Sequence, residues 1–345
     1  MKETVNMKEK CNHRPWQVVS IIVIITIAVC IGLIWISRLN EKKHSLEETM
    51  QAWDSGIHMD KINTDTDYLE ELEAYSKGLK EQHMDYVEYQ KEDSVLFPTD
   101  QILSYQISYK SGEETIDGYV AAPNDYMEKS YPVLIFNRGG NRDYGELDPT
   151  TIEYVARYGF IAMGSQYRGG GKSSGEDEFG GADVMDVIKL IDYAKKLDCT
   201  NGKVYMFGWS RGAMETYIVL SRDKRINAAV AGAGVTDLAK MYVEMNQIGN
   251  TEMTGILRTL VGNPRLDGEE YKKRSAINWP DKINTPLFIA HGLADERVPY
   301  HHSEDLYKAM VSLGKNVKLT LYPGMNHTDT PWTFFDDYFY WLKQY

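Results

Sequence analysis

The sequence predicts an α/β fold: a mostly parallel sheet with helices on both faces and an antiparallel hairpin at its start. Short apolar runs alternate with stretches of helical periodicity, and ahead of them lies a run in which apolar and polar residues alternate one by one. The length, 345 residues, suits one large domain with smaller additions.

Residues 18–36 are mostly Val, Ile, Leu and Ala, and no charge falls between Pro15 and Ser37. As a helix rising ~1.5 Å per residue they would span roughly 28 Å, close to the hydrocarbon thickness of a bilayer. Trp16 and Trp35 mark the two ends, and the lysines and Arg14 upstream fit a cytoplasmic amino terminus. An uncleaved signal-anchor is therefore expected. The alternatives are a cleaved signal peptide, a terminus lipidated at Cys30 and a buried core helix; the run is long for a signal peptide, and Val29 stands before Cys30 where a small residue is wanted.

The organisation that follows is a cytoplasmic tail over 1–16, a transmembrane helix over 17–37, a helical stalk or extension over 38–98 and the α/β domain over 99–345. In the extension, Ser45 and Glu48 are spaced as a capping box, and Leu69, Leu72, Tyr75 and Leu79 recur near helical spacing. This segment reads as a solvated spacer or as a lid on the main domain.

In the domain, Leu103, Tyr105, Ile107 and Tyr109 alternate with polar residues, Lys110-Ser111-Gly112 turns the chain, and a second strand returns over 116–122. Further strands are expected at 133–136, 160–163, 204–207, 228–233, 287–290 and 317–321, with helices at 151–158, 184–197, 213–220 and 303–313. Residues 236–280, rich in Met and Tyr, form a longer excursion read as a small cap. The net charge of -12 argues against nucleic acid as a partner. Of the three cysteines, Cys11, Cys30 and Cys199, the last stands alone in the domain, so no disulfide can form within it.

Two stretches match G-x-S-x-G, and context separates them. Gly171-Lys172-Ser173-Ser174-Gly175 has neither a strand before it nor a helix after it, and reads as a flexible loop. Gly208-Trp209-Ser210-Arg211-Gly212 follows the strand at 204–207 and opens a helix at Ala213, the strand–turn–helix setting of a nucleophile elbow in an α/β-hydrolase fold. A serine hydroxyl is a poor nucleophile at neutral pH, so Ser210 needs a base and the base an orienting acid, in the chain order Ser, Asp or Glu, His. His327 lies just beyond the last strand, where the base belongs; His301 and His302 open a helix and look solvent-facing, and His291 precedes the acid. Asp295 follows the strand at 287–290 and is the acid of choice, with adjacent Glu296 as the alternative. The oxyanion needs donors, expected from the backbone N–H of Arg211 and from the loop carrying Gly139 and Gly140, with Gly140 preferred.

These residues carry a resemblance. Asp117-Gly118-Tyr119-Val120, Arg138-Gly139-Gly140, Tyr167-Arg168-Gly169, the elbow, the stretch from His291-Gly292 to Pro299, and Gly324-Met325-Asn326-His327 occur in the order found in the catalytic domain of the prolyl oligopeptidase family of serine peptidases. The resemblance runs from Ile102 to the carboxyl end. It implies a triad of Ser210, Asp295 and His327, and an Arg168 that braces loops rather than reacts. Arg138 stands where relatives commonly have His or Tyr, and neither a gating propeller nor a paired-glutamate site is found, so cleavage after proline does not carry over. The expectation is a membrane-anchored serine peptidase acting on short peptides outside the cytoplasmic membrane, with a carboxylesterase and an idle binding module as alternatives. No metal or organic cofactor is implied.

Overall fold

The computed structural model describes residues 45–53, 57–64, 66–83 and 96–345. The segment expected to span a membrane, 17–37, lies outside them. Among the described residues no helix is long and apolar enough to cross a membrane.

Nine strands form one sheet: β1 (His58–Ile62), β2 (Ile102–Ser111), β3 (Glu114–Pro123), β4 (Tyr131–Asn137), β5 (Ile161–Ser165), β6 (Thr200–Trp209), β7 (Ala228–Gly232), β8 (Leu287–Gly292) and β9 (Val317–Tyr322). Their order is β1-β2-β3-β5-β4-β6-β7-β8-β9. The expected hairpin is β2 and β3, paired antiparallel from Ile102↔Pro123 to Ser111↔Glu114. From β5 to β9 every pairing is parallel. This is the α/β-hydrolase fold that the sequence predicts.

The central strands are continuous apolar runs because both faces of the sheet are covered. Val133, Ile135, Val204, Met206, Leu287 and Ile289 enter one core cluster. Their alternating neighbours Leu134, Phe136, Tyr205, Phe207, Phe288 and Ala290 enter the other, as the two-residue period of a strand requires. The second cluster is strongly aromatic: Phe207 stacks on Phe136 at 5.2 Å and meets Phe335 edge-on at 5.3 Å.

The helices are α1 (Leu46–Trp53), α2 (Thr66–His83), α3 (Pro149–Ala156), α4 (Val184–Ala194), α5 (Arg211–Arg222), α6 (Leu238–Gln247), α7 (Thr251–Leu260), α8 (Gly268–Lys273), α9 (His301–Ser312), α10 (Asp329–Thr333) and α11 (Phe335–Leu342). Helix α1 starts on the capping box: Ser45 N–H donates to Glu48 Oε2 at 2.9 Å, and Glu48 N–H to Ser45 Oγ at 3.1 Å. Leu46 and Met50 are buried in the core. Strand β1 then adds antiparallel to the free edge of β2, with Met59 opposite Ile107. A purely helical extension did not anticipate it. His-Met-Asp-Lys-Ile shows no clear alternation because this edge strand is held by backbone pairing and buries little side chain.

Helix α2 packs Leu69 and Leu72 into the aromatic cluster. It also grips α10: Tyr75 O–H donates to Asp329 Oδ1 at 2.6 Å, and Ser76 O–H to the Trp332 carbonyl at 2.6 Å. Lys80 pairs with Asp336 nearby. The described part of the extension is thus packed into the fold rather than solvated.

Candidate active site

Strand β6 is buried from Val204 to Trp209 and runs straight into Ser210, which caps α5. Ser210 has φ 59° and ψ -124°, a region that L-residues seldom occupy and that stores strain at functional turns. Two glycines make the turn possible. A Cβ on Gly208 would meet the Gly212 carbonyl oxygen at 2.1 Å, and one on Gly212 would meet the Asn137 carbonyl oxygen at 2.0 Å. Ser210 N–H donates to the Gly232 carbonyl at 2.9 Å, tying the turn to β7.

The other G-x-S-x-G stretch is a loop that clips onto β3. Ser173 Oγ accepts from Asp117 N–H at 2.9 Å, and Ser174 Oγ from Thr115 N–H at 2.8 Å.

Asp295 lies in the turn after β8 with its side chain fully buried. Its Oδ1 accepts from the backbone N–H groups of Arg297 and Val298, each at 2.9 Å. Its Oδ2 lies 2.6 Å from His327 Nδ1 and 3.2 Å from His291 Nε2. Burial pushes this carboxyl toward the neutral form, but hydrogen bonds with His291 and His327 outweigh it and hold the pKa well below the usual carboxylate range. Glu296 is exposed on the cleft rim, so the structure brings Asp295 to His327. The loop of His327 is docked on the elbow as well: the Trp209 indole N–H donates to the His327 carbonyl at 2.9 Å.

Gly139 and Gly140 border the same cleft as Ser210. Gly140 has φ +69°, and a Cβ there would meet the Tyr144 carbonyl oxygen at 1.9 Å. Arg138 does not reach over the cleft. Its buried guanidinium turns back and donates to the carbonyls of Gln166 (2.8 Å), Arg142 (2.7 Å), Gly139 (3.2 Å) and Gly145 (3.2 Å), so it braces the glycine loop from behind. Arg168 forms a bidentate pair with Asp186, through Nη2 at 2.7 Å and Nε at 3.1 Å, consistent with the bracing role that the resemblance implies.

Sequence reasoning missed the side chain of Arg211. It is buried among Asp177 (2.6 Å), Asp183 and Glu215 (3.3 Å), and its Nη1 also donates to the Gly140 carbonyl at 3.1 Å. One guanidinium thus ties the residue after Ser210 to the glycine loop. Burial alone would favour its neutral form, but the three surrounding acids raise its pKa. Burial, with Asp183 beside it, pushes Glu215 well above the ordinary glutamate value. That shift favours the protonated form of Glu215, whose Oε2 accepts no hydrogen bond. Asp177 and Asp183 lie about thirty residues before Arg211 and were signalled only by the cluster of charges at 176–186 leading into α4, whereas Glu215 stands at i+4 spacing from Arg211 on the same helix.

The cleft has a volume of about 910 Å³. Ser210, His327 and Trp332 of α10 line it together with Met241 and Met245 of α6 and Met253 of α7. The excursion at 236–280 therefore borders the site. On the far side of α6, His302 is buried and His301 half-buried, against the expectation that both face solvent; each directs Nε2 to Glu244. Helix α9 packs this face toward α6, which a helical period alone could not reveal.

A model of the prolyl oligopeptidase family matches residues 127–345. The chain is 26% identical to the uncharacterized peptidase YtmA of Bacillus subtilis (strain 168) over 236 residues, 68% of this chain and 90% of that protein. It spans only 33% and 25% of two further curated relatives. Among solved structures, the acylaminoacyl peptidase of Pyrococcus horikoshii superposes with a TM-score of 0.60 at 21% identity, over 70% of this chain and 41% of that one. The esterase PF2001 of Pyrococcus furiosus superposes with a TM-score of 0.56 at 18% identity, over 75% of this chain and 96% of that one. The two superpositions show a shared fold, which alone does not choose between amide and ester substrates.

Proposed function

The chain belongs to the prolyl oligopeptidase family and is a serine hydrolase; on that premise we propose that it cleaves short peptides through an acyl-enzyme. Ser210 attacks the carbonyl, His327 takes its proton and returns it to the leaving amine, and Asp295 orients the imidazole and stabilises its charged form. The N–H groups of Arg211 and Gly140 bind the developing oxyanion. The observation that carries this reading is the convergence at one cleft of a strained serine and a histidine whose Nδ1 lies 2.6 Å from a buried aspartate. That aspartate stays ionised at neutral pH, which favours the Nδ1–H tautomer and leaves Nε2 as the base.

The proposal includes a membrane anchor over residues 17–37, supported by the apolar run at 18–36 and its flanking tryptophans, with the α/β domain outside the cytoplasm. The test of the chemistry is labelling with a fluorophosphonate probe followed by turnover on matched peptide amides and acyl esters. Labelling of the native chain, loss of labelling in Ser210→Ala and turnover of amides are expected. Ester turnover without amide turnover would replace the peptidase with a carboxylesterase, and equal labelling of Ser210→Ala would remove the nucleophile.

A further inference from the structure

Away from the catalytic cleft, three side chains with metal-binding chemistry converge where α6 meets α9. Glu244 of α6 directs Oε1 to His301 Nε2 at 2.8 Å and Oε2 to His302 Nε2 at 3.1 Å. One ligand atom from each residue lies within 4.8 Å of the other two. The imidazoles stack at 5.2 Å with 22° between their planes, so both present the same edge to the carboxylate. His302 is 1% exposed and His301 35%, which gives the cluster a buried wall and an open side.

We propose that Glu244, His301 and His302 form a binding site for one divalent ion of the Zn2+ class, stapling the cap helix α6 to α9. Two imidazoles and one carboxylate suit such borderline ions, whereas Mg2+ and Ca2+ favour shells of oxygen. A tetrahedral site with bonds of ~2.0–2.1 Å holds its donors about 3.3 Å apart. The spacings of 2.8 and 3.1 Å involve the two different oxygens of Glu244, so closing a tetrahedral shell takes a rotation of the carboxylate and an approach of the imidazole nitrogens, which now lie within 4.8 Å of one another, by side-chain torsions. Lys240 already pairs with Asp305 at 2.8 Å between the same two helices, which neutralises the nearest lysine. The fourth position is left to water on the His301 side.

A staple here has a defined consequence. Met241 and Met245 line the cleft from α6, so an ion at Glu244 fixes the helix that forms one rim of the catalytic site.

The site does not depend on the hydrolase reading, and its test is binding. The full chain, without a histidine tag, is titrated with Zn2+ in competition with a chromophoric chelator. The His327→Ala variant is used so that the cleft imidazole cannot contribute. It is expected to bind one ion, and adding Glu244→Gln or His301→Ala should weaken binding by about tenfold or more. Neither addition removes core packing, and circular dichroism checks the fold of each. No binding by His327→Ala, or undiminished binding in both double variants, overturns the site. Amide exchange over residues 238–247 should slow when Zn2+ is added to His327→Ala and not in the double variants; unchanged exchange in His327→Ala overturns the staple.

Discussion

At Asp295 two opposing effects meet, and the outcome fixes a pH dependence. Because hydrogen bonding lowers its pKa in the fold, its contribution to stability is present above the unfolded value of about 3.9 and is lost as the pH falls toward the folded value. Asp295→Asn should therefore flatten part of the acid-unfolding curve below about pH 4 and, by leaving His327 in the wrong tautomer, lower kcat by about 10⁴-fold. Denaturation against pH and steady-state kinetics check the two halves separately. Glu215 runs the other way. Its folded pKa is raised, so the stability linked to its proton is complete below about pH 4.3 and declines as the pH rises from there. Glu215→Gln should cost under about 1 kcal/mol at neutral pH and reduce that decline, whereas Arg211→Met, which leaves buried carboxylates unpaired, should cost about 3–5 kcal/mol. If urea titrations gave equal losses for the two variants, Glu215 would be ionised and the account of the cluster wrong.

At the scale of elements, backbone rules and packing contribute differently. The capping box at Ser45 is local chemistry readable from two letters, and Ser45→Ala should lower stability by about 1 kcal/mol. The grip of α2 on α10 is tertiary. Tyr75→Phe combined with Ser76→Ala removes hydrogen bonds to Asp329 and the Trp332 carbonyl beside the cleft. It should raise KM more than it lowers kcat, with unchanged labelling of Ser210 as the control. Sequence patterns located the buried strands because 133–136, 204–207 and 287–290 must satisfy both faces of the sheet and so are apolar throughout. They did not locate β1, whose place depends on the free edge of β2. The placement of Ser210, Asp295 and His327 was legible because each lies in the turn or loop that follows a strand. The approach of Asp177 and Asp183 to Arg211 and the inward turn of Arg138 were not, since each depends on a long-range contact that no spacing encodes; Glu215, four residues after Arg211 on one helix, was readable.

For the whole molecule, the proposed anchor raises the question of what would hold an acidic domain, in a chain of net charge -12, at a membrane surface. Anionic lipid would repel such a surface, so attachment should rest on the apolar run and not on charge. Full-length chain is expected in the membrane fraction and to stay there in high salt; a chain lacking residues 17–37 should be released. Retention of the shortened chain would point to a second attachment.

The indole of Trp209 touches both halves of the proposed catalytic arrangement. Its ring belongs to the strand that presents Ser210, and its N–H is held by the carbonyl of His327, which arrives from the other end of the domain. Any displacement of the His327 loop strips that nitrogen of its acceptor and admits water to a ring now 8% exposed. Such a change shifts indole emission to longer wavelength. In a chain whose six other tryptophans are replaced by phenylalanine, the colour of one fluorophore would report whether the His327 loop is docked on the elbow of Ser210, with no substrate present.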